Sequence, residues 1–255
     1  MVILSKSVHP SVVAARGLSI AKENVMRPLK IPIVRPPQAK YGGRHRCTLL
    51  PGDGIGPEML THIKRIFAHS HAPVDFETIE LSSKQTDGDM EAALMAVERN
   101  GVAIKGNIET KHHDPVFKSR NVELRHRLDL YANIIHCVTI PTIPSRHTGI
   151  DIVIVRENTE GEYSGLEHQS VPGVVESIKI VTEDKINRIA KMAFDFARVN
   201  NRRKVTAVHK ANIQKLGDGL FLKTAKRMAE EKYPDLEFES MIVDNASMQL
   251  VPKKY

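Results

Sequence analysis

The apolar run Ile150-Asp151-Ile152-Val153-Ile154-Val155 leads into Arg156-Glu157-Asn158-Thr159-Glu160-Gly161-Glu162-Tyr163-Ser164-Gly165. The run reads as a buried strand, and it delivers Arg156 at its carboxyl end, where open α/β sheets place their sites. Tyr163 follows seven residues later. A guanidinium that forks onto a carboxylate, with a phenol close by, makes a pocket for a small acid carrying several charges. A surface ion pair beside a loop tyrosine is the plainer alternative. Residues elsewhere in the chain bear on the choice.

Working outward, 255 residues suffice for one large domain or two small ones. A hydrophobic content of 41% fits a globular chain, and no apolar run approaches the roughly 20 residues of a membrane-spanning helix. Cys47 and Cys137 form no metal-type cluster and no disulfide framework, which suits a reducing compartment. The net charge of +7 is unevenly placed. Residues 1–46 hold nine Lys or Arg and a single acid, Glu23, whereas the rest holds 28 basic and 29 acidic residues. The body therefore gives no reason to expect a nucleic-acid or membrane partner. The leading segment, basic and nearly free of acids, with an early Val12-Val13-Ala14-Ala15, fits a mitochondrial presequence cut somewhere before Tyr41.

On both sides of the central stretch, strands and helices alternate. A short strand at 46–50 runs into Pro51-Gly52-Asp53-Gly54-Ile55-Gly56-Pro57, and a helix follows over 58–70 with Met59, Ile63, Ile66 and Phe67 as its apolar stripe. The glycine spacing is G-x-G-x-G, not the G-x-G-x-x-G of a dinucleotide loop, so a strand-to-helix turn is the expected role. A strand is expected at 74–81, a helix at 89–100 with Leu94, Met95 and Val97 inward, and a strand at 101–105. That order indicates α/β layers around a largely parallel sheet. After a polar loop over 106–120, Ser119-Arg120-Asn121-Val122-Glu123-Leu124-Arg125 opens a helix to about Leu128. Ser119 or Asn121 can cap it, and Arg125 lies one turn after Asn121. Such a helix start favours an anion, with capping alone as the alternative. Further strands are expected at 130–138, 173–181 (part of a β arm), 204–209 and 236–243. Helices are expected at 183–199, with Ile186, Ile189, Ala190, Ala193 and Phe194 inward, and at 220–233. No closing helix is expected before Tyr255.

Ser119, Asn121, Arg125, Arg156, Tyr163, Lys210 and Asp244 fall in loops or at element ends. Two arginines can hold two carboxylates, and Asp244 can offer a hard oxygen to a divalent cation. Tyr163 and Lys210 can move protons if their surroundings lower their pKa values. The inventory suits oxidative decarboxylation of a 2-hydroxy acid, with a metal polarising the C2 oxygen and stabilising the enolate.

Five motifs in order carry a resemblance: Leu50-Pro51-Gly52-Asp53-Gly54-Ile55-Gly56-Pro57-Glu58, Ser119-x-Asn121-x-x-x-Arg125, Asp129-Leu130-Tyr131-Ala132-Asn133, the Arg156–Gly165 block, and His209-Lys210-Ala211-Asn212-Ile213. From about Tyr41 to Val251 the chain resembles the isocitrate/isopropylmalate dehydrogenase family. The fold this implies is α/β, with a large domain and a small domain bearing a β clasp. Expected divisions are 1–40 for a transit peptide and lead-in, 41–140 for the first part of the large domain, and 141–255 for the small domain. Family members continue well past this point. The resemblance thus implies a fragment, truncated isoform or incomplete gene model, lacking the nucleotide segment and inactive alone.

Within the family, the chain is similar to the regulatory, gamma-type subunits of mitochondrial NAD-dependent isocitrate dehydrogenases. Catalytic subunits carry a substrate-binding arginine where this chain has Ile135 in Asn133-Ile134-Ile135-His136. Losing a buried charged hydrogen bond of that kind typically costs about 2–5 kcal/mol. Lys105-Gly106-Asn107-Ile108-Glu109-Thr110 and Tyr41-Gly42-Gly43-Arg44-His45 also resemble the gamma pattern. The resemblance implies a citrate site at Thr110, Ser119, Asn121, Arg125 and Arg156, and a metal ligand at Asp244. Tyr163 and Lys210 occupy catalytic positions of the family and become accessory residues toward a partner's site. The implied cofactors are Mg2+ or Mn2+, NAD held by a catalytic partner subunit, and ADP as an effector. The expected setting is a hetero-oligomer in the mitochondrial matrix that supports conversion of isocitrate to 2-oxoglutarate. A dehydrogenase of a related hydroxy acid, or a non-catalytic interaction fragment, are the alternatives.

Overall fold

The computed structural model describes residues 1–5, 29–32, 41–84, 87–110, 119–140 and 142–250. Most of the expected leader, residues 111–118 of the expected polar loop, and the last five residues lie outside these. The chain divides into two compact units, Arg35–Leu130 and Met1–Val34 with Tyr131–Tyr255. The division falls at Tyr131, at the start of a strand segment, whereas the sequence reading put it near residue 140.

In the unit Arg35–Leu130, β2 (His45–Leu50) lies between β3 (Val74–Thr78) and β4 (Ala103–Lys105), all parallel. The crossovers are α1 (Gly56–His69) and α2 (Asp87–Asn100), and α3 (Arg120–Arg127) follows. Pro57 opens α1, where a missing N–H costs nothing. The core gathers Leu50, Leu81, Met90, Ala93, Leu94, Ile108 and Leu124, so α3 packs onto the same core as β2 and α2. The helix stripes differ from the sequence reading. On α1 the buried residue is Leu60, while Met59 and Ile66 are 50% and 63% exposed; on α2 Met95 is 62% exposed. On α1 packing chose Leu60 next to the expected Met59; on α2 the expected Leu94 is buried together with Met90, and Val97 packs against the same core, so only Met95 departs.

The loop glycines explain themselves by contact. A Cβ on Gly56 would stand 2.0 Å from the Pro51 carbonyl oxygen, and one on Gly106 would stand 1.9 Å from the same atom. The turns after β2 and β4 are therefore pressed together backbone to backbone. Asp53 fastens them: its carboxylate accepts from the Ser83 N–H at 3.0 Å and the Glu109 N–H at 2.9 Å.

The other unit is built on a five-stranded sheet of order β10-β9-β1-β6-β5. These strands are β1 (Val2–Ser5), β5 (Ala132–Val138), β6 (Asp151–Glu157), β9 (Lys204–His209) and β10 (Glu237–Ile242). Only β9 and β10 are parallel, so the expectation of a largely parallel sheet holds for the first unit and not for this one. Two of the three antiparallel pairs are made by β1, and the third follows from the β5–β6 connection, which has no helix among its described residues and so returns the chain antiparallel. β7 (Glu167–Val171) and β8 (Val174–Ser177) form a separate antiparallel pair whose residues are all exposed, in the place of the expected arm.

Against the sheet lie α4 (Glu183–Val199) and α5 (Gly217–Lys232). α4 buries Ile186, Ile189, Ala190, Met192, Ala193, Phe194, Phe196 and Ala197, a stripe with helical period. Phe194 stacks on Tyr233 at 4.8 Å, and the Tyr233 hydroxyl donates to Asp195 at 2.7 Å. Two elements depart from the sequence reading. Val2–Ser5, within the stretch read as leader, is a strand inside the sheet. A short helix, α6 (Val243–Gln249), follows β10, so Asp244 sits in a helical first turn.

Candidate functional site

The eight sequence-predicted residues divide between the units. Thr110, Ser119, Asn121 and Arg125 belong to the first; Arg156, Tyr163, Lys210 and Asp244 belong to the second.

In the first unit the site forms around the start of α3. Ser119 occupies the N-cap position, but its side chain makes no cap hydrogen bond. Its hydroxyl instead lies 3.1 Å from that of Thr110. Capping, the alternative reading for Ser119, is not what its side chain does. Asn121 is used structurally: its amide donates to the Ile108 carbonyl at 2.7 Å and its oxygen accepts from Lys105 Nζ at 2.7 Å. It ties the helix start to the segment after β4. Lys105, a neighbour outside the expected site residues, stands here through its contact with Asn121. Desolvation, and then repulsion from Arg125, hold its pKa below the ordinary lysine value. Lys105 and the hydroxyls of Thr110 and Ser119 thus stand by the start of α3, an arrangement that favours an anion, while Arg125 lies in the last turn of the helix.

In the second unit, Arg156, Tyr163 and Lys210 line one cavity of about 380 Å³, together with Lys179, Asp218 and Met1. Arg156 is the penultimate residue of β6 and stands over the Tyr163 ring, its guanidinium carbon 5.0 Å from the centroid. Its Nε is buried without a hydrogen-bond partner among the described residues, as is Oδ1 of its cross-strand neighbour Asn133. Buried polar atoms left this way mark a place where a ligand or water is expected. Asp218 is a second hub of the cavity lining. It accepts from the Lys210 backbone N–H at 2.6 Å and from Lys179 Nζ at 3.1 Å. Lys179 also pairs with Glu162 at 3.1 Å. Burial alone would lower the Lys179 pKa, but its hydrogen bonds to Glu162 and Asp218 outweigh this and raise it. Lys179 and Asp218 were missed from sequence because they lie 39 positions apart on an arm and a helix.

Lys210 Nζ is ion-paired with Asp244, and this contact holds the exposed Asp244 carboxyl below the usual range. The lysine and the carboxylate proposed for the metal therefore neutralise one another in this chain. A hard divalent cation takes six or more oxygen donors. No cluster of three His, Cys, Asp or Glu side chains suited to a metal occurs among the described residues. Asp244 alone does not make a metal site.

Ile135 on β5 is 44% exposed and lies on the same face as Asn133 and Arg156, two residues from the former. It puts an aliphatic surface on the face from which Arg156 projects.

Residues 46–255 match the model of the isocitrate/isopropylmalate dehydrogenase family. The chain is 59% identical over 219 residues to the mitochondrial isocitrate dehydrogenase (NAD) subunit gamma of Macaca fascicularis, covering 86% of this chain and 61% of that protein. It is 50% identical over 216 residues to the mitochondrial isocitrate dehydrogenase (NAD) subunit 1 of Kluyveromyces lactis, covering 85% of this chain and 60% of that one. Among solved structures, the isocitrate dehydrogenase of Methylococcus capsulatus superposes with a TM-score of 0.74 at 38% identity, covering 81% of this chain and 62% of that chain. The chain thus spans about three-fifths of the length of these relatives. It belongs to the isocitrate/isopropylmalate dehydrogenase family.

Proposed function

We propose that this family member acts as a regulatory, gamma-like subunit of a mitochondrial NAD-dependent isocitrate dehydrogenase. It would pair with a catalytic subunit that binds NAD and converts isocitrate to 2-oxoglutarate in the tricarboxylic acid cycle. The observation that carries the reading is the 59% identity to a gamma subunit over 219 residues. Ile135 supports it, since an aliphatic side chain supplies no guanidinium fork to a substrate carboxylate. The ligand would be citrate, a tricarboxylate, for which the family resemblance offers Thr110, Ser119, Asn121 and Arg125 in the first unit and Arg156 in the second. Asp244, once released from Lys210, would give one oxygen to a divalent cation whose other donors come from elsewhere in the assembly. ADP would act as a second effector there. Tyr163 and Lys210 would serve as accessory groups toward the partner's site.

Arg125→Ala tests the reading in a co-purified complex with a catalytic subunit. A charged hydrogen bond is worth about 1.5–3 kcal/mol, so the citrate concentration for half-activation is expected to rise roughly tenfold or more. The maximal rate at saturating isocitrate is expected to stay the same. An equal loss of maximal rate would make Arg125 a catalytic or structural residue and would remove the regulatory reading.

A further inference from the structure

β6 and β9 do not pair with each other; β1 lies between them, antiparallel to both. Its four residues are matched on each side: Val2 with Val155 and Ala207, Ile3 with Ile154 and Thr206, Leu4 with Val153 and Val205, Ser5 with Ile152 and Lys204. The walls of this gap belong to the deepest part of the core, with Val153, Val155, Val205 and Ala207 all 0% exposed and Val2 at 2%. Neighbouring strands sit about 4.8 Å apart, so the two walls stand roughly twice that distance from one another. Removing β1 would leave two facing rows of unpaired N–H and C=O groups and an open core, each unfavourable in water and worse in a sheet interior. The body of the unit therefore presents a groove shaped for one extended strand. The next described residues of the same unit are Leu29, which packs on this core, and Lys30, whose backbone N–H donates to Asn200 Oδ1 at 2.8 Å. Between residue 5 and residue 29 lies the basic stretch whose composition matches a cleavable leader, so a cut there would sever the covalent tie between the strand and the rest of the unit.

We propose that the gap between β6 and β9 is a strand-acceptor groove, and that Val2–Ser5 occupies it as an exchangeable donor strand. Recognition is by backbone pairing on both edges, the mode of β-strand addition, with one apolar pocket at the position of Val2. The amino terminus of the occupant is directed at the charged cavity: the Met1 amine donates to the Val208 carbonyl at 3.3 Å, and Met1 lines the cavity beside Arg156 and Lys210. An occupant thus closes the sheet and forms one wall of that cavity. The occupant is an extended segment with a small or β-branched apolar residue next to its amino terminus.

The test uses the full chain carrying a site-specific protease sequence inserted between Ser7 and Arg27. The folded chain is nicked in the presence of excess fluorescent peptide of residues 1–6, labelled at its carboxyl end. The amino-terminal piece is expected to co-elute with the nicked chain. The labelled peptide is expected to replace it in a saturable one-to-one manner, whereas the same peptide with Val2→Asp binds at least roughly tenfold more weakly, because a carboxylate would be buried unpaired. Loss of the piece from a chain whose thermal unfolding is unchanged would overturn the proposal, since the groove would then close without a strand. Retention of the piece with no uptake of labelled peptide would equally overturn it, since the strand would be a fixed part of the sheet. Val2→Asp in the un-nicked chain gives an independent reading: its Tm is expected to fall, and an unchanged Tm counts against the groove.

Discussion

At the scale of single residues, charge and hydrogen bonding separate the positions that hold the fold from those free to meet a ligand. Asp53 belongs to the first kind. Burial works to raise its pKa, but the N–H groups of Glu109 and Ser83 bind its ionised form and outweigh this, so its folded value is depressed. The stability it contributes is therefore present above the unfolded aspartate value of about 3.9 and is lost as pH falls through the lower folded value. Asp53→Asn is expected to cost on the order of 1 kcal/mol near neutral pH, after allowance for solvent screening, and to flatten the acid limb of the stability profile below about pH 4. Denaturant titrations of both chains at pH 3 and pH 7 measure this, and an identical acid limb in the two would contradict it. Arg156 belongs to the second kind: it is delivered by a strand, stacked on Tyr163, and left with a buried unpaired Nε. Its place was legible in the sequence because a buried strand followed by a polar block fixes where the first polar residue must emerge. Lys179 was not legible, because its partners Asp218 and Gln214 meet it through tertiary folding alone.

At the scale of elements, the glycine turn and the first strand make opposite demands on sequence reading. The turn after β2 was legible because its glycine spacing departs from a phosphate loop, and the structure supplies the reason in backbone contact. Gly106→Ala would force a Cβ into the Pro51 carbonyl and is expected to cost about 3 kcal/mol. Gly54→Ala, with φ of 61° and nothing within 4 Å, is expected to cost only the left-handed penalty of about 1 kcal/mol. Thermal unfolding of the two variants decides this, and equal losses would refute the packing explanation. β1 was illegible, because a four-residue apolar run at the head of a basic stretch satisfies a presequence pattern as well as a strand pattern. Its docking carries its own pH dependence. Burial lowers the Met1 amine from 8.0 to about 6, partly offset by Asp218. The buried neutral amine costs nothing above the unfolded value, and the penalty for burying charge grows as pH falls through 8 toward 6. Hydrogen-exchange protection of the β1 amides is expected to rise between pH 6 and pH 8 relative to an N-acetylated chain. A constant difference between the two across that range would rule out the amine as its source. α6 was also missed. Its apolar face is Ala246 with Leu250 one turn on, too little to register as a helical period over seven residues.

At the scale of the whole molecule, apolar surface points to assembly. Val171, Val174, Val175 and Ile178 on the β7–β8 arm are between 48% and 64% exposed, and Leu216 ahead of α5 is 91% exposed. Exposed apolar residues grouped in this way mark interaction surfaces. They fit a subunit that completes its surface against a partner, as the regulatory account requires. The sequence made the family legible at this scale because five short motifs occur in a fixed order, each demanding a particular local geometry. It left the arrangement of the sheet containing Arg156 illegible, because strand order there depends on a strand from the far end of the chain.

The regulatory account rests most directly on one rate. The chain is co-expressed with a catalytic isocitrate dehydrogenase subunit, the complex is purified, and NADH formation at low isocitrate is followed with and without citrate. The account predicts a co-purifying complex whose rate at low isocitrate rises with citrate while the rate at saturating isocitrate does not. A co-purifying complex indifferent to citrate, or NADH formation by this chain in the absence of the partner, would contradict it.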